Sequence, residues 1–291
     1  MNLPEFKNFP RAIAIDLDGT LLNSQAQLSV RSLLALERCI EAGIPIMIAT
    51  SRPLRIFDRI FTEYLKQRCS YIVMNGAVAK GNPPLFGYYK EIIPMDILRK
   101  VITYSLEFDS NIRITLEIDG YGFGTNWQWD PLTLWQRNAA TPEMIMNLGE
   151  AIALHPCKIA LGNTDVIKLS EHLETQFGKL LSIVGARYTT ALSNPLINIT
   201  TSTATKPYAL RKLLEPHCIS LEKVLAFGDD LPDIDMLREC GTSVAMANAL
   251  PEVKTVCNYE TVSNDEDGVA LVLETMLEQI QIKSKDKNSK P

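Results

Sequence analysis

The sequence predicts an α/β protein: a parallel sheet wrapped by helices and interrupted by an α+β insert. Three observations carry that prediction. Apolar runs at residues 11–16, 44–49, 71–74 and 224–227 are too short for helices and nearly free of polar alternation, so they read as strands buried on both faces. Amphipathic helical stretches separate them, which is the alternation of a parallel sheet. Across residues 87–201 the pattern changes to hairpins and mixed elements, and it reverts at Lys206. A length of 291 residues suits two domains: 1–86 together with 202–291, and the insert 87–201.

Taken in order, residues 11–20 (RAIAIDLDGT) form a strand that ends in Asp16 and Asp18, then a Gly-Thr turn. Two carboxylates side by side at a buried strand end oppose each other's ionisation, so a cation or a chemical task must offset the cost. After a polar loop, Ser29 can cap a helix over 30–42, and Gly43 ends it. The strand at 44–49 leads into Thr50-Ser51-Arg52-Pro53, and a helix is expected over 53–68. The strand at 71–74 ends at Asn75-Gly76-Ala77. Ligands of such sheets gather at the carboxyl ends of strands, where Asp16, Thr50 and Asn75 all fall.

Residues 81–91, rich in Gly, Pro and Tyr, read as a hairpin or linker. In the insert, a helix over 95–108 precedes a strand at 112–118, an Asp119-Gly120 turn and a return strand at 121–125. Further strands are expected at 157–161 and 183–190, with a helix over 170–180. Trp127, Trp129 and Trp135 suit either the insert's core or a wall facing a substrate. Past Lys206 come a helix over 207–214, the strand at 224–227 and the run Gly228-Asp229-Asp230-Leu231-Pro232-Asp233. A helix over 234–240, a strand at 242–246, Ala247-Asn248-Ala249 and a last helix over 269–281 complete the chain, and the basic tail 283–290 reads as a frayed, solvated end.

Composition excludes several classes. A net charge of −5 gives no electrostatic support for nucleic-acid binding. No apolar segment has the length of a membrane span, and the first residues lack a signal peptide's apolar core. Six scattered cysteines without a CxxC pair suit reduced thiols in a cytoplasmic protein. His155, His172 and His217 are not spaced for a zinc site or for a Ser-His-Asp triad. The GYGFG run at 120–124 lacks dinucleotide-binding spacing, and no GxxxxGK[ST] loop exists.

In combination and in this order, DLDGT, Thr50, Lys206 and the Gly228–Asp233 run resemble the four motifs of the haloacid dehalogenase superfamily. NGA at 75–77, AMANA at 245–249, NDEDGVA at 264–270 and an insert placed after the third strand are similar to its Cof-type phosphatases, which carry a C2-type α/β cap. The resemblance implies a Rossmann-like core and a cap that selects the substrate. It implies Asp16 as nucleophile, forming an aspartyl-phosphate, and Asp18 as the acid that protonates the leaving group and then activates water. Mg2+ is implied as cofactor, held by Asp16, the carbonyl of Asp18 and Asp229, with Asp233 bound directly or through water. The implied phosphate-binding set is Leu17 and Asp18 through their backbone, Thr50, Ser51, Asn75 and Lys206. Asp rather than Thr at position 18 favours hydrolysis over a stored phosphoenzyme.

The chemistry is consistent with the residues themselves, since phosphoryl transfer needs a nucleophile, cations around the phosphoryl oxygens and proton management. Two departures from the subgroup stand out: Ser51 replaces a usual Gly, and Pro232 a usual Asn. Asp229 and Asp233 keep their spacing, so metal binding is expected to survive. The expected partner is a small phosphorylated metabolite, a sugar phosphate first and a phosphorylated cofactor such as pyridoxal phosphate or flavin mononucleotide next. Neither nucleic acid nor membrane is expected, and the chain is read as a monomer or homodimer. Two alternatives are a phosphotransferase on the same core and a non-catalytic ligand-binding protein.

Overall fold

The protein is described here by a computed structural model covering residues 3–6, 9–185 and 196–288. The first part of the chain forms β1 (Ala12–Asp16), α1 (Val30–Glu41), β2 (Ile46–Ala49), α2 (Phe57–Ile60), α3 (Glu63–Arg68), β3 (Ser70–Val73), β4 (Val78–Gly81) and β5 (Gly87–Lys90). Next come α4 (Met95–Phe108), β6 (Arg113–Glu117), β7 (Phe123–Thr125), α5 (Pro131–Asn138), β8 (Ile145–Asn147), α6 (Leu148–Ala153), β9 (Lys158–Gly162), α7 (Val166–Phe177), β10 (Leu181–Val184) and β11 (Ile197–Thr201). The last part forms α8 (Lys206–Leu214), β12 (Val224–Gly228), α9 (Ile234–Glu239), β13 (Thr242–Ala245), α10 (Pro251–Lys254), β14 (Tyr259–Glu260) and α11 (Gly268–Asn288).

One sheet has eight strands in the order β14-β13-β12-β1-β2-β3-β4-β5. Every pair from β14 to β3 is parallel, and β4 and β5 add an antiparallel hairpin. The α/β class read from the sequence is therefore the observed one. β1 is wholly buried between β12 and β2, which its Ala and Ile residues allow and which directs Asp16 to the carboxyl edge. The chain leaves this sheet after Lys90, so the strand at 87–90 pairs with β4 rather than with the insert.

Local chemistry sets the helix ends. The Ser29 hydroxyl accepts from the Ser32 N–H at 3.0 Å and starts α1, and Gly43, at φ 76°, leads the chain away from it. The single helix expected over 53–68 is broken into a 3-10 turn at Leu54–Ile56, α2 and α3. Thr62 is the cause: its side chain caps a new helix by accepting from the Leu65 N–H, and Phe61 before it is extended. α7 begins earlier than expected because Asp165 caps it. The tail expected to fray continues α11 to Asn288, and residues 289 and 290 lie outside the described residues. Of the strand expected at 183–190, β10 ends at Val184, and residues 186–190 lie outside the described residues.

The second sheet has the order β10-β11-β9-β6-β7-β8, antiparallel except for β7 with β8. Strand alternation divides its faces. Ile114, Leu116, Ile159 and Leu161 join α4 and α7 in an apolar core separate from that of the first sheet. Glu117 and Lys158, paired across β6 and β9, reach residues of the first unit instead. The Asp119-Gly120 hairpin docks on the first unit, where the Arg55 N–H donates to the Gly120 carbonyl at 3.0 Å. Gly120 has φ 94°, and a Cβ there would sit 2.7 Å from the Leu54 nitrogen, so both backbone and space require glycine. The tryptophans divide: Trp127 and Trp129 pack with ring centroids 4.0 Å apart at a tilt of 37°, and Trp129 meets Phe123 edge-on, whereas Trp135 is exposed beside Arg59.

Candidate active site

β1 and β12 run side by side, with Ile15 opposite Phe227, so Asp16 and the loop at Asp229 emerge together at the carboxyl edge. Oxygens of Asp16, Asp229 and Asp233 all lie within 4.8 Å of one another. Lys206 opens α8, whose N-cap Thr205 accepts from the Tyr208 N–H. Its buried ammonium donates to Asp16 Oδ1 at 2.5 Å and to Asp233 Oδ1 at 2.6 Å. Three carboxylates thus face one ammonium, and the excess is negative.

The titration behaviour follows from that imbalance. Burial, reinforced by Asp233, holds the Asp16 carboxyl well above its ordinary value, although Lys206 pulls the other way. Burial also pushes Asp229 up to about 7, against the hydrogen bond from Thr20. Desolvation would lower Lys206, but Asp16 and Asp233 outweigh it and the ammonium is held charged.

Each neighbour in the cluster has a visible task. Asp233 Oδ2 accepts from the backbone N–H groups of Asp229 and Asp230, at 3.1 and 3.2 Å, so this carboxylate shapes its own loop. Pro232 lies in the 3-10 turn between them, where the bond that closes the turn comes from the Asp233 N–H to the Asp230 carbonyl. The residue that departs from the family pattern therefore removes no donor from that turn. The Thr20 hydroxyl donates to Asp229 Oδ1 at 2.6 Å. Gly19, at φ 77°, passes so close that a Cβ would land on the Asp229 carboxylate. The late motifs brace the same loop: Asn248 Nδ2 donates to the Gly19 carbonyl at 2.8 Å and Asn264 Nδ2 to that of Leu22 at 2.9 Å.

The remaining predicted residues lie around this centre. Leu17 is wholly buried behind Asp16. The buried Thr50 hydroxyl accepts from the Arg52 N–H at 3.1 Å, and the Asn75 N–H donates to the Thr50 carbonyl at 3.1 Å. Asn75 stands at φ 60°, and its buried Oδ1 has no protein partner. The Ser51 side chain is not drawn into the cluster, but its carbonyl accepts from Lys158 Nζ at 3.4 Å. Asp18 stands outside the carboxylate cluster and meets Arg52 in a two-pronged ion pair, with Arg52 Nε 2.7 Å from its Oδ2.

Arg52 and Lys158 escaped the sequence reading, and Thr20, though part of DLDGT, was given no task there. Arg52 stands two residues after the second-motif Thr50, and that proximity was the only signal available. Lys158 had none, because a lysine in an inserted strand reaches the Ser51 loop only through β9's alternation. It forms no ion pair among the described residues, since Arg55 takes both oxygens of its neighbour Glu117 at 2.7 Å. Burial lowers its pKa, opposed by Glu117.

The donor set fits a divalent cation. It consists of carboxylate oxygens, the ligands of hard cations such as Mg2+, and burial holds two of these carboxyls, Asp16 and Asp229, above their ordinary values. The family profile for haloacid dehalogenase-like hydrolases matches residues 13–273. The chain belongs to this family and is an enzyme of it.

Among curated proteins of this haloacid dehalogenase-like family, the chain is 27% identical over 267 residues to a 5-amino-6-(5-phospho-D-ribitylamino)uracil phosphatase from Bacillus subtilis, covering 91% of this chain and 96% of that one. It is 28% identical over 279 residues to a pyridoxal phosphate phosphatase from Escherichia coli, covering 89% and 96%. A crystal structure of a Thermotoga maritima protein shares the fold with a TM-score of 0.77 at 24% identity, covering 92% of this chain and 97% of that one.

Proposed function

We propose that this chain is a Mg2+-dependent phosphatase that hydrolyses a small phosphorylated metabolite through a phosphorylated Asp16. The observation that carries the reading is the Lys206 ammonium bridging Asp16 and Asp233 beside Asp229, at the carboxyl end of the central strand. Relatives named as phosphatases of a ribitylaminouracil phosphate and of pyridoxal phosphate support the substrate class. Six unpaired cysteines, four of them buried, agree with a reducing cytoplasmic setting.

Asp16 Oδ2 is the oxygen that Lys206 leaves free, and it attacks phosphorus as the ester P–O bond breaks. Asp18 gives a proton to the departing oxygen, then removes one from the water that attacks the aspartyl-phosphate. That second attack breaks the bond between Asp16 and phosphorus and releases inorganic phosphate. Lys206 keeps positive charge beside the nucleophile, and the Thr50 hydroxyl and the Asn75 amide supply hydrogen bonds to phosphoryl oxygens. Arg52 fixes the plane of the Asp18 carboxylate between the two proton transfers. Asp16 and Asp229 would hold the cation directly, with Asp233, whose oxygens already accept from Lys206 and two amides, outside them. A bound Mg2+ supplies Lewis-acid neutralisation of the phosphoryl charge.

The insert over 87–201 acts as a cap, which the contacts of Glu117 and Lys158 with the first unit support. The test is phosphate release from p-nitrophenyl phosphate and from a panel of phosphorylated metabolites, with and without Mg2+. Wild type is expected to turn over only with the metal, and Asp16→Asn to be inactive. Equal rates in the two proteins would contradict the reading.

A further inference from the structure

A cleft of about 670 Å³ opens beside Arg52, the partner of Asp18, between the loop after β1, the α2 segment and the end of α5. Gln25 and Gln27, Arg52 and Arg59, and Gln136 supply its polar lining, and no carboxylate lines it. The position has chemical meaning. In the phosphatase reading, on which this inference rests, Asp18 protonates the leaving oxygen, so the leaving group must lie next to Asp18. Arg52, which holds the Asp18 carboxylate, also lines the cleft. The cleft therefore begins where the alcohol half of an ester would be and does not include Asp16.

Its two guanidinium groups differ. Arg52 is committed to Asp18, which both its Nε and its Nη2 engage. Arg59 forms no ion pair among the described residues; its Nη1 donates to the carbonyls of Trp135 and Gln136, at 3.1 and 2.6 Å, and its other nitrogens have no hydrogen-bond partner among the described residues. Backbone carbonyls at the end of α5 are dipoles that orient a guanidinium without cancelling its charge. Its positive charge thus lines a pocket that holds no acid. Three glutamine amides, which donate and accept, suit the hydroxyl or amide groups of a polar molecule.

We propose that this cleft is the leaving-group site, and that it selects phosphomonoesters whose alcohol half carries a second anionic group received by Arg59. The proposal adds a charge requirement to the substrate class, and it assigns that requirement to α2 and the end of α5.

Matched esters test it. Glycerol 3-phosphate and 3-phosphoglycerate differ in a carboxylate for a hydroxymethyl group, as do sorbitol 6-phosphate and 6-phosphogluconate; fructose 6-phosphate and fructose 1,6-bisphosphate differ in a second phosphate. Wild type is expected to favour the more anionic member of at least one pair by about tenfold or more in kcat/KM, the weight of one charge-assisted hydrogen bond. Preference in the carboxylate pairs identifies a phosphorylated acid, and preference confined to the last pair identifies a bisphosphate; either supports the proposal. Arg59→Gln should bring the ratio near one, and Arg59→Lys, which keeps the charge, should retain most of it.

Equal rates within every pair would overturn the proposal, as would a preference that survives in Arg59→Gln. Equal loss in Arg59→Gln and Arg59→Lys would also overturn it, since a lost clamp on α5 would then explain both. Dissociation constants of the same esters on Asp16→Asn protein read the preference independently of turnover. A binding preference without phosphate release from any ester would therefore sink the phosphatase reading alone.

Discussion

Asp229 is a carboxylate that folding makes hard to ionise, and this has a measurable consequence. Its ordinary value is 3.8, and burial pushes it up to about 7 in the metal-free fold. A group raised in this way stabilises the fold at acid pH, and that contribution is lost as pH climbs through about 7. Asp16 is shifted in the same direction. A divalent cation takes the place of those protons, so the rise in Tm on adding Mg2+ should be larger near pH 8 than near pH 5. An equal shift at both would contradict the assigned cluster. Asp18 should behave differently, because it stands apart from the cluster: Asp18→Asn is expected to lower kcat by roughly 10²–10⁴-fold and to leave the Mg2+-dependent Tm shift in place. Steady-state kinetics and thermal melts check the two halves. Lys158→Met removes an ammonium that pairs with no carboxylate among the described residues and reaches the Ser51 carbonyl, and an increase in KM of about tenfold is expected from kinetics.

At the scale of elements, the junction between the two sheets rests on Arg55. Its guanidinium is buried with Glu117, donates also to the Asn138 carbonyl at 3.0 Å, and lies 4.5 Å from the centre of the Phe123 ring. Breaking a buried pair leaves an uncompensated charge, so Arg55→Ala should destabilise the protein by about 3–5 kcal/mol. Denaturant unfolding measures this, and Arg55→Met with Glu117→Leu should recover much of the loss. The sequence could not show this junction. Arg55 reads as a helix residue and Glu117 as an alternating strand residue, and their meeting depends on how one unit sits on the other. By contrast, α4 and the strands carrying the motifs were legible, because burial on both faces or on one stripe leaves a pattern in the chain itself. The helix over 53–68 was misread because a capping Thr outweighs a continuous helical pattern, and Thr62 resembles any polar surface residue until its hydroxyl is seen on Leu65.

For the molecule as a whole, the chemistry and its selectivity are encoded differently. The acidic cluster comes from residues spread from position 16 to 233, yet each follows a strand of one parallel sheet, and sheet topology alone brings them to one edge. Asp16, Lys206, Asp229 and Asp233 could be named together before any coordinates because their motifs, in this order, resemble those of the haloacid dehalogenase superfamily; Lys206 itself follows β11 of the second sheet and opens α8. The side chains lining the neighbouring cleft come from a loop, a short helix and the insert, elements with no common pattern, and so Arg59 and Gln136 were invisible.

The central claim is that phosphate passes through Asp16. It is tested most directly by acid-quenching the enzyme during turnover with Mg2+, reducing the acyl phosphate with borohydride and mapping the modified residue by mass spectrometry. Homoserine at position 16 in wild type, absent without substrate, is the predicted result. Continued phosphate release with no modification at Asp16, or with modification elsewhere, would contradict it.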